Sequence, residues 1–233
     1  YEGGGMYAYG GSPTIRNCVF SYNTASSGGG LYNEGGSATI INTTFSNNSA
    51  YFGGGGGLHS YFDSNLTLVQ VVFKDNNAAA WGGGIYASVG SNPVLTDVTF
   101  EGNTAVYGGG MYSRNSVITY TTSLNRVTFS GNSASQRGGA LYIDGSNLTL
   151  TNTTLVDNTS GGAGAGIYLA DDSSYDDYVV NLINVTLTGN SAVGTGGAIH
   201  VYDVIGEAGL EPLNLENTIV WGNLSGSGSQ LYI

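Results

Sequence analysis

Residues Pro93 to Tyr112, PVLTDVTFEGNTAVYGGGMY, decide the fold. A short alternating run ends at Phe100, Asn103 and Ala105 follow at fixed offsets, and three glycines, Gly108 to Gly110, open a second short run at Met111-Tyr112. The same unit recurs along the chain. Its glycine clusters begin at Gly3, Gly28, Gly55, Gly82, Gly108, Gly138, Gly164, Gly196 and Gly228, giving steps of 25, 27, 27, 26, 30, 26, 32 and 32 residues. Self-similarity at such a period marks a solenoid or an array, because one unit of this size cannot bury its own apolar face and must stack on its neighbours.

Superposing the units gives columns. Five residues before the Phe position stand Ile15, Ile40, Leu68, Leu95, Leu124, Leu150, Leu182 and Leu215. Two before it stand Cys18, Thr43, Val71, Val98, Val127, Thr153, Val185 and Thr218, and at it Phe20, Phe45, Phe73, Phe100, Phe129, Leu155, Leu187 and Val220. Mostly Thr lies between the last two columns, the alternation of a strand with one buried face. The column three before Phe (Asn17, Asn42, Gln70, Asp97, Arg126, Asn152, Asn184, Asn217) carries charge and so is expected to face water. Three residues after Phe an asparagine recurs in every unit: Asn23, Asn48, Asn76, Asn103, Asn132, Asn158, Asn190 and Asn223. An amide both donates and accepts, and Asn tolerates left-handed backbone, so this column reads as an inward-facing ladder at a sharp bend.

The repeat is too short for a four-stranded propeller blade, shows no helical period, and contains no Asn-Gly hairpin signal. What remains is an all-β fold: one domain over residues 1–233, a single-stranded parallel β-helix of about eight coils of 25–32 residues. The crossover rule makes it right-handed. The coils lengthen only after the glycine-adjacent strand, at Ser113 to Ser123, Leu169 to Tyr178 and Val201 to Pro212.

Composition narrows the function. Sixteen acidic and five basic residues give a net charge of −11, which disfavours nucleic acid and anionic membrane surfaces as partners. No apolar run is long enough to span a bilayer, so direct membrane insertion is not expected. Solubility rests on Ser, Thr and Asn, with only 9% charged residues, which is unlike a typical cytosolic enzyme. Tyr1-Glu2-Gly3 does not read as a signal peptide, so a secreted chain would have lost its leader. A single cysteine, Cys18, cannot form an internal disulfide and reads as a small core hydrophobe.

The paired signatures Phe-x-x-Asn and Gly-Gly-x-apolar, seen as Phe129-Ser-Gly-Asn132 and Gly138-Gly139-Ala140-Leu141, resemble the FxxN and GGA[ILV] repeats of the polymorphic outer-membrane protein family. The resemblance runs through essentially the whole chain, though most copies read Gly-Gly-Gly followed by an apolar residue and Tyr. It implies a right-handed β-helix of the pectin-lyase-like type, secreted or displayed at the cell surface, acting in adhesion.

Candidate sites are few. A polysaccharide lyase needs a base and cations around a carboxylate, but Arg16, Lys74, Arg114, Arg126 and Arg137 fall on scattered units and different columns. A glycoside hydrolase needs two opposed carboxylates, which only the acidic loops would supply, and no catalytic residue is singled out. Asp171, Asp172, Asp176 and Asp177 form either a solvated turn or a Ca²⁺ site, the one cofactor the chain suggests. The column after the glycine-adjacent apolar residue, Tyr7, Tyr32, His59, Tyr86, Tyr112, Tyr142, Tyr168, His200 and Tyr232, is read as exposed. Either its rings simply pack well, or they form a flat track that stacks on sugar rings or against another rod. Sequons at Asn42, Asn47, Asn65, Asn147, Asn152 and Asn184 are expected to be open to glycosylation where the host permits, whereas those at Asn158 and Asn223 belong to the inward ladder.

The expectation is a non-enzymatic extracellular structural or adhesive solenoid binding a polysaccharide or surface glycan, with a carbohydrate-active enzyme as the alternative. Both ends stop in the same phase of the repeat with no cap legible, so either the chain self-associates end to end into filaments or these residues are a segment of a longer β-helix whose caps lie outside it.

Overall fold

The computed structural model describes residues 1–114, 121–171, 179–203 and 213–232, and every strand pair among them is parallel, one coil against the next. The acidic cluster lies outside the described residues, apart from the backbone of Asp171. Three sheets run the length of the rod. The Tyr sheet has nine strands, such as Met111–Arg114; the Ala sheet has eight, such as Thr104–Tyr107; the Phe sheet has 14 strands arranged in eight rungs, most of them split, as in Val94–Thr96 and Thr99–Glu101. Equivalent residues pair across each step, Leu68 with Leu95 with Leu124 and Phe73 with Phe100 with Phe129, so the columns of the sequence are the ladders of the fold.

The corners explain the residues between strands. All eight members of the outward column, from Asn17 (φ 55°) through Arg126 (φ 55°) to Asn217 (φ 48°), are left-handed. So are all eight residues just before the ladder asparagines: Tyr22, Asn47, Asp75, Gly102, Gly131, Asp157, Gly189 and Gly222. The glycine that opens each aligned unit, Gly55 within the run Gly53 to Gly57, is the third such corner, from Gly3 (φ 67°) to Gly228 (φ 94°). The bend was expected at the ladder asparagines themselves; instead it sits one residue earlier, and the asparagines keep ordinary backbone angles. Asn, Asp and Gly dominate the first two corner columns because they tolerate positive φ best.

The core inside the three sheets is continuous, and the Leu, Val and Phe columns are buried along it. Phe20, Phe45, Phe73, Phe100 and Phe129 stack with centroids 4.6–5.0 Å apart and planes within 10°. The exception to the apolar columns is Leu215 in the last rung of the Phe sheet, 44% exposed because no described strand lies over it.

The asparagine ladder is as inward as expected: Asn48 to Asn223 are buried and Asn23 is half-buried. Each Nδ2 donates to the Oδ1 of the next coil at 2.8–3.0 Å. The same oxygen accepts the backbone N–H of the coil below it at 2.9–3.1 Å. The second Nδ2 hydrogen reaches back to the carbonyl at the Phe position of the preceding coil, as from Asn103 to Phe73 at 2.9 Å. A buried amide thus uses both donors and both lone pairs, which is the condition for burying it without loss.

Candidate functional site: the aromatic seam on the Tyr sheet

The nine rings of the Tyr/His column form one unbroken row of ring contacts on the outer face of the Tyr sheet, with centroids 4.5–5.5 Å apart from Tyr7 to Tyr232, stacked at His59–Tyr86, Tyr168–His200 and His200–Tyr232, edge-on at Tyr32–His59 and tilted elsewhere. The expected exposure is corrected. Tyr32, His59, Tyr112, Tyr142, Tyr168 and His200 are buried, Tyr86 is half-buried, and only Tyr7 and Tyr232 near the ends are open. The glycine corner is the reason. At Gly138 a Cβ would lie 2.8 Å from the Cβ of Tyr142, so the chain doubles back there with nothing between. That fold-back lays the residue before each glycine beside the stack.

In four consecutive coils those flanking residues are Trp81, Tyr107, Arg137 and Ala163, paired in parallel. Sequence reading had passed over them, although a large planar group just before the glycines in three successive units was a legible signal. Trp81 leans on Tyr86 at 5.6 Å, and Tyr107 meets Tyr142 edge-on at 5.9 Å. Tyr107 donates its hydroxyl proton to Gln136 Oε1 at 2.8 Å. The Arg137 guanidinium lies over Tyr168 at 5.2 Å and Tyr202 at 5.7 Å. A cation over aromatic faces is held by their quadrupoles.

Arg137 differs from most basic residues of the chain. Lys74 pairs with Glu101 at 2.7 Å, Arg126 takes Asp97 with both Nε and Nη2, and Arg114 Nε lies 3.3 Å from Asp144. Arg137 pairs with no carboxylate among the described residues. Asp144, also unforeseen, is buried in the seam and accepts the Tyr112 hydroxyl proton at 2.9 Å. Burial first, and then the Asp144 charge, push the Tyr112 phenol far above its usual range.

Both histidines are held neutral by burial. His59 is lowered to about 3, with Nε2 at 3.1 Å from Ser88 Oγ and Nδ1 without a partner. His200 is lowered to about 4 by burial and by the nearby Arg137 charge, and its Nδ1 lies 2.9 Å from Thr195 Oγ1. They stand in separate parts of the stack, so the structure does not bring them together, and no cluster of three metal-binding side chains occurs among the described residues. Cys18 is half-buried against the core. Of the sequons, Asn42, Asn47, Asn65, Asn152 and Asn184 are exposed, Asn147 is half-buried, and Asn158 and Asn223 are buried.

A family model described as the right-handed β-helix region matches residues 1–119 and 82–204. Neither curated proteins nor solved structures gave a match. The two overlapping matches take in most of the chain, and its parallel sheets and stacked columns agree with them: the chain belongs to the right-handed β-helix family.

Proposed function

We propose that this chain is a non-enzymatic extracellular solenoid with an adhesive face, that the face is the seam flank formed by Trp81, Tyr107 and Arg137, and that its ligand is a glycan. The observation that carries the reading is Arg137, a cation without a carboxylate partner among the described residues, held over tyrosine rings beside two half-buried aromatic side chains. Tyrosine and tryptophan faces accept the C–H faces of sugars, while a guanidinium gives directed hydrogen bonds to hydroxyl or carboxylate oxygens. Consecutive rungs stand about 4.8 Å apart, so a linear glycan along the rod meets one side chain per rung. The remaining ladders supply a stiff support. The resemblance to polymorphic outer-membrane repeats and the surface of Ser, Thr and Asn support adhesion at a cell surface.

The test is a glycan array probed with the wild type, Trp81→Ala/Tyr107→Ala and Arg137→Ala, together with an assay for released reducing ends and unsaturated sugars. Binding that falls tenfold or more in both variants without sugar release is expected. Binding unchanged by these substitutions removes the seam flank as the adhesive face, and release of sugars would make the chain an enzyme.

A further inference from the structure

Two phenols of the aromatic row donate their proton to a carboxylate of the next coil. Tyr7 donates to Glu34 Oε2 at 2.8 Å and Tyr112 to Asp144 Oδ2 at 2.9 Å. Glu34 and Asp144 stand two residues beyond Tyr32 and Tyr142, so strand alternation puts each on the ring-bearing face of its coil. The two pairs differ in burial. Tyr7 is open to water, whereas Tyr112 and Asp144 are only 4% and 6% exposed.

A phenol ring that loses an electron becomes a strong acid, and it persists as a neutral radical only after giving up its proton. Solvent can take that proton from Tyr7. In a buried site an uncompensated positive charge is costly, so the proton needs an internal base within hydrogen-bond reach. Asp144 meets that condition for Tyr112. Arg114 Nε, 3.3 Å from the same Oδ2, favours the charged carboxylate that accepts it. Burial and the Asp144 charge meanwhile keep the unoxidised phenol protonated, so proton loss waits on electron loss.

Rings connect this pair to the surface. Trp81 is half-buried, within reach of solvent, and its ring centroid lies 5.6 Å from that of Tyr86. Tyr86 lies 5.4 Å from Tyr112. Rings this close overlap enough at their edges for an electron to pass between them without a diffusing carrier.

We propose that Tyr112 and Asp144 form a redox site: a one-electron oxidant acting at Trp81 draws an electron from Tyr112 through Tyr86, and the Tyr112 hydroxyl proton crosses to Asp144 Oδ2. The oxidant is an outer-sphere one, a metal complex or radical that takes an electron without bonding to the chain and is strong enough to oxidise an indole. It leaves Trp81 as a radical cation. The electron that refills Trp81 comes from Tyr112; the Tyr112 O–H bond breaks and an O–H bond forms on Asp144. Indole radical cation, phenol and carboxylate thus become indole, neutral phenoxyl radical and carboxylic acid, with charge and protons conserved. While Asp144 is neutral, water solvates the Arg114 charge, whose side chain is 58% exposed. A one-electron reductant returns the electron to Tyr112, and the proton follows it back.

The full chain is photo-oxidised with ruthenium tris-bipyridine and persulfate and freeze-trapped for electron paramagnetic resonance. Wild type is expected to show a tyrosyl radical that outlasts the radical of free tyrosine at least tenfold. After exchange into heavy water, electron–nuclear double resonance should find a deuteron hydrogen-bonded to its oxygen. Tyr112→Phe keeps the ring contacts and should remove the long-lived signal, whereas Tyr7→Phe should leave it. Asp144→Asn keeps the shape but is no base, and should cut the yield at least tenfold; Trp81→Phe should slow formation. A long-lived signal that survives Tyr112→Phe, or a yield unchanged in Asp144→Asn, overturns the redox site, and formation unchanged in Trp81→Phe overturns the route into it. Should a variant fail to fold, wild type alone decides: no long-lived radical, or one without the exchangeable deuteron, overturns the proposal.

Discussion

Asn103→Ala interrupts the asparagine ladder in mid-rod. Asn103 Oδ1 accepts both Asn76 N–H at 3.0 Å and Asn76 Nδ2–H at 2.9 Å, and its own Nδ2 donates to Asn132 Oδ1 and to the Phe73 carbonyl, both at 2.9 Å. Truncation orphans the Asn76 backbone donor completely and takes one of two partners from its side-chain amide, which keeps the Phe45 carbonyl at 2.9 Å. A buried group left without a partner costs about 1–3 kcal/mol, and the vacated volume adds to this, so a loss of about 2–5 kcal/mol is expected. Thr104→Ala, next in the chain but exposed, removes only the bond to Asn77 Oδ1 and should cost under about 1 kcal/mol. Urea unfolding gives the global difference. Because each coil contacts only its neighbours, hydrogen exchange at the Asn76 and Asn103 amides locates the damage. If Asn103→Ala is no more destabilising than Thr104→Ala, the ladder does not stabilise the rod in the way described.

Acid should loosen the aromatic stack before carboxylates titrate. With folded values lowered from 6.5 to about 3 for His59 and about 4 for His200, the unfolded chain binds more protons below pH 6.5, and stability falls as pH drops. Each imidazole contributes about 1.4 kcal/mol per pH unit until its folded value is reached, and His59→Tyr/His200→Tyr should flatten a stability–pH curve between 6.5 and 4; a slope that survives the double substitution counts against this. Gly109→Ala places a Cβ 2.4 Å from Gly139 O and 2.5 Å from Ser133 O, and should cost about 3 kcal/mol or more by thermal unfolding, whereas Gly131→Ala, at φ 60° with nothing within 4 Å, should cost about 1–2 kcal/mol; equal costs would refute the close approach. In a glycosylating host, Asn152 and Asn184 occupy adjacent rungs, with Asn184 Nδ2 donating to Asn152 Oδ1 at 3.1 Å, so peptide mapping should find a glycan on one or the other but not both in a molecule, and none on Asn158.

The repeat made the fold legible without coordinates. When Phe73, Phe100 and Phe129 recur at one offset with Thr between buried neighbours, period-2 alternation says which face each column takes, and repetition says that like residues stack. The inward asparagines followed from the same logic, since only a shared structural need keeps Asn at one offset in every unit. Backbone angle was not legible. Asp97 and Arg126 disclose that their column is wet, but not that it is left-handed, because charge marks exposure and says nothing of φ. Nor was the covering of an outward column. Tyr112 and Tyr142 point away from the core by alternation, yet they are buried, because the glycine corner folds Tyr107 and Arg137 back beside the stack. Gln230 stood in plain view as the one large side chain in a Gly/Ala column; only the tertiary structure showed its Oε1 accepting from Asn223 N and Nδ2. Columns are set by local spacing, which a sequence carries directly. What lies over a column is set by where the chain turns and which coil comes next, and that is decided only when the coils are stacked.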